Sequence, residues 1–165
     1  MTKITTKEIL KYVKNIVFAL GCSFILCSLS DILLKKMGVA DFEMFSPSVD
    51  KDLFYGCVFA PMGEEFIFRW LPITLVVIVF GQKDFDKWKW HFAGILSIIF
   101  AVTLHYGYFS IYIQGVTGFF INYVYYKNRK YMYLSGIITH SAWNFSLGYV
   151  LPVMSHHSQL PNPFG

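Results

Sequence analysis

Nearly all the chemistry this sequence could perform is carried by residues at three places. The first is "GEEFIFRWLP", with Glu64, Glu65 and Arg69; the second is "AVTLHYG", with His105; the third is "THSAWNFS", with His140 and Asn144. On a helix Glu65 and Arg69 are i and i+4, so they share a face and can pair. Glu64 lies about 100° further round and is freer to exchange a proton. His140 and Asn144 are also i and i+4, on one helix face. A carboxylate and two imidazoles can hold and deprotonate a water, and an amide can donate to an oxyanion. That set suits hydrolysis of an amide bond. A glutamate with two histidines could also hold a metal such as zinc, so zinc stays open. No HExxH motif occurs, however, and the three ligands would come from three different helices.

The elements that position these groups are set by composition. Of the 165 residues, 55% are hydrophobic and only 15% charged, with a mean hydropathy of +0.48. Soluble domains carry about 25% charged residues. The expected class is all-α: a polytopic integral membrane helical bundle, one domain over residues 1–165. The net charge of +4 does not point to nucleic acid, because the lysines lie in short clusters between apolar runs and form no basic face. The expected surroundings are a lipid bilayer. Cys22, Cys27 and Cys57 lack metal-ligand spacing and read as small buried hydrophobes.

A membrane span takes about 20 apolar residues. The first candidate runs from about Asn15 to Leu34. It is long for a signal-peptide core and no cleavage site stands out, so it is expected to be retained. The second covers about 53–81, followed by the charged turn "QKDFDKWKW". From His91 to Tyr126 no Asp, Glu, Lys or Arg occurs. As one helix that run would be about 54 Å long, against about 30 Å of hydrocarbon. It is expected to be two spans with a turn near Gly107. "KNRK" at 127–130 ends it, and a last span covers about 131–151. That makes about five transmembrane helices.

Ten of the 14 basic residues fall in the N-terminus, 82–90 and 127–130. By the positive-inside rule these are cytoplasmic, which places the N-terminus in the cytoplasm and the C-terminus outside. Ionisable residues inside a span are costly and are usually functional, facing the bundle interior. The plainer possibility is that they fix helix packing. Pro61 and Pro72 bracket the group, and each removes a backbone donor, so bends that open a polar cavity are expected.

The three motifs, in this order, resemble the CPBP family of intramembrane proteases. That family includes the CAAX prenyl endopeptidases and the bacterial Abi proteins linked to self-immunity. Its pattern is EExxxR, then FxxxH, then HxxxN or HxxxB. "EEFIFR" and "HSAWN" match in full; in the middle motif His105 is present, but Ala101 stands where the family has Phe, with Phe100 one residue earlier. The resemblance covers about 53–148. It implies a glutamate-dependent endopeptidase of the membrane, with a bacterial inner membrane as its setting, acting on a peptide or membrane-protein substrate. In that reading Glu64 activates water with His105, His140 and Asn144 stabilise the oxyanion, and Glu65 and Arg69 support the site. The short chain and the altered middle motif keep a rival open, a non-enzymatic immunity factor or scaffold of the same fold. A small transporter or proton relay is a third, weaker reading.

Overall fold

The computed structural model describes residues 4–37, 55–104 and 111–147. Among the described residues all regular structure is helical and no strand occurs. Helix α1 (Thr6–Lys36) starts well before the apolar run that sequence suggested. The cause is a capping box at Thr5-x-x-Glu8. The Glu8 N–H donates to Thr5 Oγ1 at 3.3 Å, and the Thr5 N–H donates to Glu8 Oε2 at 2.9 Å. Among the described residues one helix, Thr6–Leu34, is by itself long and apolar enough to cross a membrane, judged by length and composition.

The second rod is continuous but uneven. A π-helical turn (Tyr55–Phe59) leads into α2 (Ala60–Glu65); a second π turn (Phe66–Trp70) leads into α3 (Leu71–Phe80). Each α segment has a proline in its first turn, Pro61 and Pro72. Proline removes one N–H and crowds the carbonyl four residues back, so a wider turn before it relieves the clash. The Leu71 N–H accordingly reaches back five residues to Phe66 O. The bends expected from the prolines are thus π turns, and Arg69 lies in one of them.

The charged stretch after Gly81 is not a turn. Helix α4 (Gln82–Leu104) begins at once, and the whole reversal rests on Gly81, at φ 80° and ψ 155°. A side chain is strained there, which glycine avoids. The charges of 82–90 support helix instead, through Asp84–Lys87 at 2.7 Å and Asp86–Lys89 at 3.5 Å. Next come a π turn (Ile111–Gly115), α5 (Val116–Lys127), a 3₁₀ turn (Arg129–Tyr131) and α6 (Met132–Phe145). Counting α2 and α3 as one rod, the described residues form five helices, the number expected. The turn placed near Gly107 and the C-terminal tail lie outside the described residues.

Helix α5 packs against α1, α4 and α6. Its buried residues include Gly118, Ile121, Asn122, Val124 and Tyr125. Asn122 Nδ2 donates to Ala93 O at 3.3 Å and to Ser97 Oγ at 3.2 Å, which ties α5 to α4. Ile73, Phe85, Ala93, Leu96, Ile121 and Tyr125 form one apolar core; Cys27, Ile113 and Trp143 form a second. Cys27 is buried as expected, whereas Cys22 and Cys57 are only half-buried.

One end of the bundle gathers the three basic segments. Asn15 Nδ2 donates to Asn128 Oδ1 at 2.7 Å, Lys130 lies 3.7 Å from Glu8, and Arg129 pairs with Asp86. Slight burial opposes ionisation of Asp86, but Arg129 and Lys89 outweigh it and hold the carboxyl below its ordinary range. That tie is present at neutral pH and is lost as pH falls through the lowered value.

At Gly136 the backbone of α6 lies hard against the Tyr125 side chain of α5. A Cβ there would lie 2.0 Å from the Tyr125 ring, whereas one at Gly94 would meet nothing within 4 Å. Gly136→Ala is expected to destabilise by about 1–3 kcal/mol through overpacking. Gly94→Ala is expected to leave thermal unfolding in detergent unchanged or slightly raised. Equal midpoints for the two variants would show that the contact between α5 and α6 is loose.

Candidate active site

The polar centre starts from α2. Its last two residues, Glu64 and Glu65, point to different surroundings. The Glu65 side chain is 0% exposed, while that of Glu64 is 24% exposed. The angular offset read from the sequence therefore separates a sealed carboxylate from one that reaches the surface. Arg69, one turn on, is 1% exposed and pairs with Glu65 Oε1.

Helix α6 brings the next member. His140 Nδ1 lies 2.8 Å from Glu65 Oε1, and its Nε2 lies 3.4 Å from Glu64 Oε2. One imidazole thus stands between the two carboxylates. Glu65, ionised against Arg69, can only accept, so the Nδ1 position carries a proton. Nε2 faces Glu64 across a wider gap, longer than a good hydrogen bond but close enough for a carboxylate there to attract an imidazolium.

Aromatic rings close the inner side. Phe100 of α4 is 2% exposed. Its centroid lies 4.5 Å from Arg69 Cζ and 5.8 Å from the His140 centroid, edge to face with the imidazole. The ring supplies a cation–π contact where Arg69 has few acceptors. Among the described residues Arg69 Nε, its second terminal nitrogen and Glu65 Oε2 have no hydrogen-bond partner. Tyr125 OH donates to Glu65 O at 3.4 Å, and Tyr133 OH donates to Met62 O at 2.9 Å. Gly118 leaves room for the guanidinium: a Cβ there would sit 3.0 Å from it.

The structure thus brings Glu64, Glu65, Arg69 and His140 together. Asn144 lies one turn beyond His140, and its Nδ2 donates to Gly56 O at 2.9 Å. That bond ties α6 to the first π turn and uses one of the two amide protons. His105 lies outside the described residues. Among the described residues no group of three His, Cys, Asp or Glu could hold a metal ion.

Sequence reasoning did not assign roles to Phe100, Tyr125, Tyr133 or Gly118. Phe100 had a signal, because it stands one residue before the position where the motif expects Phe. The other three lie in apolar or small-residue stretches whose partners are set by packing alone.

Residues 51–146 match the family model described as type II CAAX prenyl endopeptidase Rce1-like. No curated protein and no solved structure matches the chain.

Removing one partner of a buried pair typically costs about 3–5 kcal/mol, whereas replacing both by apolar groups is often neutral. Arg69→Ala is expected to lower folded yield and thermal stability sharply. The double variant Arg69→Met with Glu65→Leu is expected to recover most of that stability. Fluorescence-detected size exclusion and thermal unfolding check both. An Arg69→Ala protein as stable as the parent would show that the pair contributes little.

Proposed function

We propose, for a chain that belongs to the Rce1-like family of type II CAAX prenyl endopeptidases, that it is a glutamate-dependent intramembrane endopeptidase. Glu64 is the general base. It takes a proton from a water, and the resulting hydroxide attacks the carbonyl carbon of the scissile peptide. His140, held as the imidazolium by Glu65, donates from Nε2 to the oxyanion as the carbonyl π bond breaks. Glu64 then returns its proton to the leaving amine as the C–N bond cleaves. Asn144 would add its second N–H to the oxyanion, and His105 would share the water with Glu64.

The observation that carries this reading is the placement of His140 between the two carboxylates, with Nδ1 2.8 Å from Glu65 Oε1 and Nε2 3.4 Å from Glu64 Oε2. Glu64 as a carboxylate, ready to accept, favours the imidazolium form of His140, which is ready to donate. The match to a protease family supports the reaction class. The Asn144–Gly56 hydrogen bond favours a second reading, in which the polar cluster binds helices together and the protein is a non-enzymatic immunity factor or scaffold.

The protein is integral to the membrane, as members of its family are. The proposal extends this to five crossings. Outward-facing side chains support it beyond α1: Ile78 is 72% exposed and Val79 69%. Apolar surface of that extent is stable against lipid rather than water. The basic end gathered by α1, α4 and the 3₁₀ turn is placed in the cytoplasm of a bacterial inner membrane, with the C-terminus outside. The substrate is a peptide or membrane protein; nucleic acid is not expected.

Purified protein in liposomes, incubated with a peptide library, is expected to cleave a subset of peptides. Glu64→Gln is expected to lose at least about 100-fold, as removal of a general base does, with folding unchanged. Full activity in Glu64→Gln would remove the base from the mechanism, and no cleavage by the parent would favour the binding reading. For topology, Lys83→Cys is expected to react with an impermeant maleimide only from the cytoplasmic side of inverted vesicles. Labelling in intact cells would reverse the orientation.

A further inference from the structure

A cavity lies away from the carboxylates, between α3, the start of α4 and the end of α5. Its volume is about 200 Å³. Ile73, Val77, Phe85 and Met132 form apolar walls, and Gln82 and Arg129 stand among its polar lining. It also contains two hydroxyl-bearing side chains, Thr74 and Tyr126. Both hydroxyl oxygens are buried and have no hydrogen-bond partner among the described residues, and Tyr126 is 8% exposed. A buried hydroxyl is rarely left unpaired, so these two call for an acceptor or a donor inside the cavity.

The surroundings specify the charge of the occupant. The three segments that meet at this end, tied by Asn15–Asn128, Glu8–Lys130 and Asp86–Arg129, carry Lys7, Lys11, Lys14, Lys83, Lys87, Lys89, Lys127, Arg129 and Lys130. Only Glu8, Asp84 and Asp86 oppose them in the same segments. Arg129 is 43% exposed, and among the described residues its one ion-pair partner is the part-exposed Asp86. Thr74 lies seven residues before Gly81, about 10 Å deeper along the helix. The order from the surface inward is therefore a guanidinium, then two hydroxyls, within apolar walls.

We infer that this cavity binds an anionic phospholipid. Arg129 takes the phosphate, the Tyr126 and Thr74 hydroxyls donate to ester carbonyls, and the apolar walls receive the first carbons of an acyl chain. A guanidinium suits a phosphate because its N–H groups fork onto two oxygens. The site does not depend on peptide cleavage. It depends on the basic end facing the headgroup region of the membrane, where anionic lipid concentrates near basic residues.

Asp86 competes with the phosphate for Arg129, which gives the test a sign. Detergent-purified protein is titrated with phosphatidylglycerol or phosphatidylcholine and bound lipid is counted by native mass spectrometry. The parent is expected to retain one phosphatidylglycerol in preference to phosphatidylcholine. Arg129→Gln is expected to weaken retention about tenfold, and Tyr126→Phe about fivefold, as loss of a charged and a neutral hydrogen bond would. Asp86→Asn is expected to strengthen it. Lys87→Gln, which removes one positive charge from an exposed side chain of the same end, is expected to stay within about twofold of the parent. Equal retention of the two lipids would overturn the site. So would Lys87→Gln losing as much as Arg129→Gln, which is the mark of diffuse attraction, or Asp86→Asn retaining less lipid than the parent.

Discussion

The Glu65–Arg69 ion pair constrains everything around it. Two full charges with almost no exposed surface are costly unless each finds the other. Glu65 Oε1 accepts from both Arg69 and His140. That shared oxygen fixes α2 to the π turn that follows it and to α6. It also fixes which nitrogen of His140 bears a proton, and so what Nε2 can offer Glu64. The same pair thus joins the helices and orients the His140 ring towards Glu64.

The helices are arranged so that this pair can be buried. Gly118 lets α5 approach the guanidinium, and Gly136 lets α6 approach Tyr125. Phe100 of α4 lies over the guanidinium and meets the imidazole edge to face, so one ring contacts both side chains. The two π turns place wide backbone on either side of Glu64 and Glu65, next to Pro61 and Pro72. The Asn144 amide satisfies Gly56 O in the first of these turns, which is where such a backbone group needs a donor.

Much of the site was legible in the sequence because its signals are local. Glu65 and Arg69 are one turn apart, and so are His140 and Asn144; helical period alone puts each pair on one face. The offset of Glu64 from Glu65 likewise predicted two environments. The number of helices followed from the length of the uncharged run after His91. What was not legible depends on contacts between distant segments. The run "QKDFDKWKW" has the charge of a loop, but its Asp and Lys residues are spaced for helix and Gly81 alone makes the reversal. The start of α1 was set by the Thr5–Glu8 capping box, which hydropathy does not see. Tyr125 and Gly118 sit in an apolar run with no motif, and their roles exist only once α5 is packed in the centre.

The central claim is that Glu65 holds His140 with its proton on Nδ1, so that Nε2 is aimed at Glu64. Nitrogen-15 NMR of histidine-labelled protein in detergent, assigned with His140→Gln, reads that state directly. The account predicts a protonated Nδ1 at His140 in the parent protein near neutral pH. It also predicts that Glu65→Gln, which replaces a charged acceptor by a neutral amide, shifts His140 away from that state. A His140 that carries its proton on Nε2 alone in the parent, or one whose spectrum is unchanged in a folded Glu65→Gln variant, would contradict it.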